Sequence, residues 1–287
     1  DRGPLTLSTD ELRFVDYTHA MYSMSLIDAQ LRYRRLKKAE LGDLAPQELA
    51  EDLDTCFLTP TGMIITKECL ERMQSEAARL TVRRWELDGQ LAIWQDSFPG
   101  EQYVIVADPS EGLWDNPKAA YSAAIVMRKS TWEEVARLYG KIAPREFADM
   151  LVDIAKSYNG ALIVPEINNK CGGEVIAELM NVKHYDNIYR QRDLATRAPS
   201  EWGWRTHRGN KNGMIQTSKR ILEAGGFHTY DTELVGQLYN VVEDAGYYTA
   251  ASGTFVDLAM CAFIAIAVLI ESPPETRGKT TWVSHRR

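Results

Sequence analysis

The spacing of hydrophobic and polar positions changes character near residue 100. Before it, apolar residues recur at helical intervals in a polar background. Ser8, Thr9 and Asp10 offer N-caps ahead of Glu11-Leu12-Arg13-Phe14-Val15. A second helix is predicted over Leu26 to Leu41, with Gly42 as its stop. A short helix near Pro46–Leu53 follows, then a turn at Thr59-Pro60-Thr61-Gly62, an apolar Met63-Ile64-Ile65 and a third long helix from Lys67 to about Val82. The segment carrying Trp85, Trp94 and Phe98 reads as strand or loop.

From Tyr103 the pattern becomes α/β. Tyr103-Val104-Ile105-Val106-Ala107 is a buried-strand pattern that stops at Asp108-Pro109. Strands over 120–128 and 135–141 complete a meander of three. Pro144 opens a helix that runs to Tyr158, and Asn159-Gly160 turns the chain into a further buried strand, Ala161-Leu162-Ile163-Val164. Pro165 cannot donate to a sheet ladder, so this strand is expected to end by Val164 with Glu166 on the loop side. Helices over 173–181, 212–224 and 232–243, a short strand around Ile188-Tyr189 and a last apolar helix from Asp257 finish the pattern.

Composition adds little to this picture, but charge distribution adds something. The 287 residues are 45% hydrophobic and 25% charged with a formal net charge of −7, ordinary for a globular protein and the wrong overall sign for a phosphate binder. Between Lys183 and Arg220, however, nine basic residues face three acids, a local basic face in an acidic chain. The basic run Arg32, Arg34, Arg35, Lys37 and Lys38 reads as a solvated helix face, with a DNA or domain contact as the sharper alternative. The four cysteines form no CxxC pair, which points to reduced thiols in a cytoplasmic protein rather than a zinc site or disulfide framework. The longest apolar run, Leu258 to Ile270, is too short to span a bilayer, and no signal peptide is visible. The chain starts at Asp1 rather than Met, as expected of a fragment or trimmed chain.

Three carboxylates stand at comparable places: Asp108 and Glu166 after buried strands, Asp257 at the start of the last helix. Each has a plainer reading, as a turn residue, a solvated loop acid and an N-cap respectively. Together they would repel and take up protons unless a cation compensates them. A hard, oxygen-seeking ion such as Mg²⁺ suits that donor set, and paired ions can activate water against a phosphodiester. No Ser-His-Asp or Cys-His arrangement is apparent, and His184, His207 and His228 lack metal-ligand spacing. Asp115 suits a turn with Asn116-Pro117 better than a metal site, and Trp202 and Trp204 suit packing better than base stacking.

Segment 103–267 resembles the C-terminal nuclease domain of the large terminase subunit of tailed bacteriophages, which is related to herpesvirus terminases. The matching stretches are Val104 to Pro109 with Gly112; Glu166-Ile167-Asn168-Asn169 with Gly172 or Gly173; Gly203-Trp204-Arg205-Thr206 with Lys211; and Asp257-Leu258-Ala259-Met260 with Ala262. Residues 26–66 also resemble the end of that family's ATPase half, through Gln30, Arg34, Arg35 and the Phe57-Leu58-Thr59 to Gly62 element. The resemblance implies an RNase H-like fold, a mixed central sheet flanked by helices. It also implies a helical segment at 1–100, a nuclease domain at 101–272 and a polar basic tail at 273–287. Asp108, Glu166 and Asp257 would bind two Mg²⁺ or Mn²⁺ ions, and Arg205, Arg208, Lys211 and Lys219 would hold DNA phosphates. The implied task is cutting double-stranded viral DNA during genome packaging in the host cytoplasm. An upstream ATPase domain, the small terminase subunit and the portal would be partners. No GxxxxGK[ST] phosphate loop occurs in the chain, so the motor is expected upstream of Asp1.

One departure from the family pattern stands out. The family often carries two adjacent aspartates at the third region, and here the first is Val256. That leaves two other readings: a catalytically weakened DNA-binding or assembly module, and another RNase H-like nuclease of the resolvase or transposase type.

Overall fold

A computed structural model describes residues 5–22, 24–41, 63–116, 118–192, 199–244 and 246–272. The expected stop at Gly42, the helix at 46–53, the turn at 59–62 and the tail 273–287 lie outside the described residues. The chain divides between Pro60 and Thr61 into two compact units.

The first unit shows two helices, α1 (Thr9–Tyr22) and α2 (Asp28–Leu41). Ser8 is the N-cap of α1: its Oγ accepts from Glu11 N at 3.3 Å, while Ser8 N donates to Glu11 Oε2 at 2.8 Å. The basic run of α2 is not simply solvated. Arg34 bonds Asp10 at 3.0 Å and lies over the Phe14 ring, and Arg35 pairs with Glu11 at 2.5 Å.

The second unit is built on a mixed sheet of six strands, with helices on both faces. Its members are β1 (Arg84–Glu86), β2 (Leu91–Ile93), β3 (Tyr103–Asp108), β4 (Ser122–Arg128), β5 (Glu133–Gly140) and β6 (Leu162–Pro165), in the order β1-β2-β5-β4-β3-β6. Every pairing is antiparallel except β3 with β6. The expected mixed central sheet is therefore present, and the segment of Trp85 and Trp94 supplies two of its strands. Helix α3 (Lys67–Ala77) stops earlier than its pattern suggested, where Arg79-Leu80-Thr81-Val82 gives up helical spacing for a turn.

Alternation along the strands sorts side chains between two cores. Tyr103, Ile105 and Ala107 face α4 (Pro144–Ser157), which buries Phe147, Leu151 and Ile154. Val104 and Val106 face the opposite way, toward α6 (Arg208–Glu223), α7 (Thr232–Tyr239) and α8 (Asp257–Glu271). Helix α8 is apolar all round because it is enclosed; Leu258 through Ile266 are buried except for Met260. The same alternation puts Asp108 on the α8 side of β3 and Glu166 on the α8 side of the β6 line.

Three features differ from the sequence pattern. Ile188 joins the edge of β6 through a single parallel bridge with Ile163 rather than as a strand. Two small hairpins appear: β7 (Arg190–Arg192) with β8 (Pro199–Trp202), and β9 (Val241–Asp244) with β10 (Tyr247–Ala250). The second hairpin takes residues assigned by spacing to the end of the helix after Thr232. Among the described residues no helix is long and apolar enough to cross a membrane.

Candidate metal and nucleic-acid site

The last pairing of β3 sets Asp108 opposite Ala123 on β4, and the parallel register Ala107↔Pro165 sets Asp108 beside Glu166. The strand carrying Glu166 does not stop at Val164. Pro165 is its last residue, and pairing runs on through Glu166 N, which donates to Ala107 O at 2.7 Å. On the other edge Trp204 N donates to Pro165 O and Ile167 N to Trp204 O, both at 2.8 Å. Glu166 is thus gripped from both sides and is 6% exposed, contrary to the expected loop position. Proline is tolerated because only its carbonyl is called on.

Two close approaches make this grip possible. A Cβ on Gly203, whose φ is +86°, would sit 2.6 Å from Pro165 O, and one on Gly172 would sit 2.1 Å from Glu166 O. Neither position accepts a side chain, so glycine lets the 203–204 segment and helix α5 (Lys170–Ala177) close on the Glu166 backbone.

The third acid comes from α8. Val256 occupies its N-cap position and offers no capping bond. Gln237 Oε1, on α7, accepts from Leu258 N at 2.8 Å instead. Asp257 is the first residue of the helix, and its Oδ2 accepts from Tyr121 N at 3.4 Å.

The three acids are near enough to feel one another's charge. Burial, then the charges of Glu166 and Asp257, push Asp108 well above the usual carboxylate range. Its carboxyl also hydrogen-bonds that of Glu166. Burial raises Glu166 too, opposed by hydrogen bonds from Thr206 and Asp108 and by the charge of Lys211. Asp257 rises from 3.8 to about 6, mainly through burial. Cys261, one turn further along α8, feels all three acids and stays a thiol for the same reason.

Nuclease domains of viral terminases have a similar fold. No protein-family model matches the chain, and no curated protein sequence does. The magnesium-bound large terminase nuclease from thermophilic phage G20c aligns at 17% identity and a TM-score of 0.49, over 68% of this chain and 96% of that one. The large terminase nuclease domain of Thermus phage P74-26 aligns at 18% and 0.47, over 67% and 93%. The human cytomegalovirus terminase nuclease domain, soaked with manganese and with inhibitor bound, aligns at 11% and 0.43, over 71% and 94%. Likenesses this distant decide nothing about chemistry, which has to come from the side chains.

The donor set is oxygen-only, desolvated and poor in positive charge, which fits a hard divalent cation. Among the described residues, no group of three or more His, Cys, Asp or Glu side chains is drawn together tightly enough to cage an ion as it stands. The neighbouring carboxyls of Asp108 and Glu166 instead act on each other, raising Asp108 and lowering Glu166, as crowded carboxyls do.

The four basic residues anticipated around the site separate into two groups. A cleft of about 440 Å³ opens on Glu166 and is lined by Arg208 and Lys211, with Tyr248 of the β9–β10 hairpin on another wall. Arg208 lies 4.4 Å from the Tyr247 ring centroid. Arg205 instead forms a two-pronged pair with Glu201 at 2.7 and 2.8 Å and lines a different cleft. Lys219 lies two turns beyond Lys211 on α6, 3.9 Å from Glu223, and lines neither cleft. Val256 lines the acidic cleft, as its place beside Asp257 implied. Trp204 is buried against Tyr189, so packing accounts for it, while Trp202 is exposed with Arg190 over its ring.

Sequence reasoning assigned no role to two residues that touch the site. Asn168 Nδ2 donates to Glu166 Oε1 at 2.7 Å, and Thr206 Oγ1 donates to the same oxygen. Their signal was proximity to motif positions, two residues after Glu166 and two after Trp204.

Proposed function

We propose that this chain is the nuclease part of a terminase large subunit, a metal-dependent endonuclease that cuts double-stranded viral DNA during genome packaging. The observation that carries the reading is the set of three buried, raised carboxyls, Asp108, Glu166 and Asp257, on the α8 side of the sheet, where Lys211 opposes the rise of Glu166 from the cleft. These three residues would hold two Mg²⁺ or Mn²⁺ ions. Such ions supply a polarised water and a stabilised leaving oxygen for phosphodiester hydrolysis. The chain's own residues position the substrate. Arg208 and Lys211 line the cleft that opens on Glu166 and would hold phosphates of the duplex there. Arg205 and Lys219 have weaker claims, since each has a carboxylate neighbour of its own and stands outside that cleft. An upstream ATPase domain, the small terminase subunit, the portal and the host cytoplasm belong to the same reading.

The test is cleavage of supercoiled plasmid across metals. Mg²⁺ or Mn²⁺ should support nicking and linearisation, a chelator should stop it, and Asp108→Ala should reduce the rate by about 10³-fold or more. Metal-independent cutting, or an active Asp108→Ala protein, contradicts the reading.

One observation favours a second reading, a weakened DNA-binding or assembly module. Val256 puts an apolar wall in the cleft that opens on Glu166, at a place where the resembled family often has an acid. If that is the decisive loss, the protein binds DNA without cutting it, and Val256→Asp creates cutting. An inactive Val256→Asp protein that still binds DNA removes this explanation.

A further inference from the structure

We infer that Asn168 and Thr206 are positioning residues that lock the Glu166 carboxylate into one orientation by donating two hydrogen bonds to its Oε1, so that the carboxylate would be presented preformed to a divalent ion. The inference rests on the metal-dependent nuclease reading and adds two residues to it.

The geometry has three parts. Both donors fall on one oxygen of a buried carboxylate: Asn168 Nδ2 at 2.7 Å, and the Thr206 hydroxyl. A buried carboxylate with two donors on one oxygen gives up both bonds when it rotates, and its own oxygen is then left unsatisfied. The two donors also hold each other, because Thr206 N donates to Asn168 Oδ1 at 2.8 Å. Asn168 therefore uses its carbonyl to fix the Thr206 backbone and its amide to fix Glu166, closing a ring of three residues.

The ring is anchored outside the site. The Glu166↔Trp204 bridge carries the chain alongside Glu166, so Thr206 arrives two residues later at the carboxylate. Asn210 Nδ2 donates to Arg205 O at 2.8 Å, and Asn210 Oδ1 accepts from His207 N at 2.8 Å. The start of α6 thus holds the peptide segment that delivers the hydroxyl. Preorganised ligands lose less freedom when an ion arrives, and partners of this kind around metal ligands are commonly worth ten- to a hundredfold in metal affinity (order of magnitude).

The test compares Thr206→Val, which keeps shape but removes the donor, with Thr206→Ser, which keeps the donor. Mn²⁺ affinity is measured by electron paramagnetic resonance, DNA binding without metal by a filter assay, and kcat and KM by plasmid nicking. Thr206→Val should weaken Mn²⁺ binding about tenfold or more and lower kcat, while metal-free DNA binding and KM for DNA stay near wild type. Thr206→Ser should recover most of both losses, and Asn168→Ala should repeat the Thr206→Val pattern. Unchanged Mn²⁺ affinity in a folded Thr206→Val protein overturns the inference. So does a Thr206→Ser protein as impaired as Thr206→Val, since packing would then explain the residue. Should Thr206→Val fail to fold, unchanged Mn²⁺ affinity in Asn168→Ala overturns it equally. A wild-type protein that binds Mn²⁺ but cuts no DNA removes the nuclease reading, while the Mn²⁺ measurements still judge the ring.

Discussion

The sheet carries two buried acidic clusters, and they are compensated in opposite ways. Beside β5, Glu134 and Asp231 are both buried, and burial raises both carboxyls. Arg137 stands between them, bonding Asp231 Oδ1 and Oδ2 at 3.2 and 3.3 Å and drawing Glu134 back down. Thr229 donates to Glu134, and Asp231 caps α7 through Glu233 N at 2.9 Å. That cluster carries its own cation, and Glu134 Oε2 and Asp231 Oδ1 also serve local structure. At the opposite end of the strands, Asp108, Glu166 and Asp257 have no guanidinium among them. Lys211 lowers Glu166 from the cleft, and the strongest contact of Asp108 is another carboxyl. A buried acid with a built-in counter-charge is architecture; the proposed metal site would supply the counter-charge of the other cluster.

The largest expected effect breaks the compensated cluster. Arg137→Ala leaves Glu134 and Asp231 buried without a cation and should cost about 3–5 kcal/mol of stability, read by urea denaturation. A loss within about 1 kcal/mol would show that Arg137 is not the compensating charge.

The next effect separates the clusters by pH. A carboxyl whose folded pKa is raised favours the protonated folded state. Its unfavourable contribution is absent below the unfolded value and complete above the folded one. For Asp257 that window runs from 3.8 to about 6, and Asp108 and Glu166 shift in the same direction. The metal-free protein should therefore lose stability as pH rises through this range. Asp257→Asn should recover at most about 3 kcal/mol at pH 8 and nothing near pH 4. An equal effect at both pH values would deny the shift.

The smallest effect concerns the basic residues. Lys211→Ala should lower DNA affinity and reduce the salt-dependence slope by about one, whereas Lys219→Ala should change neither. Equal effects would erase the distinction drawn between residues lining the cleft and the residue outside it.

The contrast also marks what could be read from the chain. Val104–Ala107 and Ala161–Val164 were legible because strands buried on both faces are written as unbroken apolar runs, and each acid followed such a run. The β7–β8 and β9–β10 hairpins were not, because three- and four-residue strands with exposed positions leave no pattern distinct from a loop or a helix end. Nor were the roles of Asn168 and Thr206, since a 38-residue separation is closed only by the Glu166↔Trp204 pairing. The pairing of Arg205 was not legible for a related reason. A basic block reads as a phosphate surface until each cation is matched with its own neighbour, and Glu201 is four residues away. Pro165 misled in the other direction, because proline excludes a donor and not a strand that needs only its carbonyl.

The most direct measurement is the thermal midpoint at pH 8 with and without Mn²⁺, for the wild-type protein and for Asp108→Asn. The account predicts that Mn²⁺ raises the wild-type midpoint by several degrees, since ions would relieve the repulsion among Asp108, Glu166 and Asp257. Asp108→Asn should melt higher than wild type without metal and gain almost nothing when Mn²⁺ is added. A wild-type midpoint indifferent to Mn²⁺, or an Asp108→Asn protein that gains as much from it, contradicts the claim that these carboxylates await a cation.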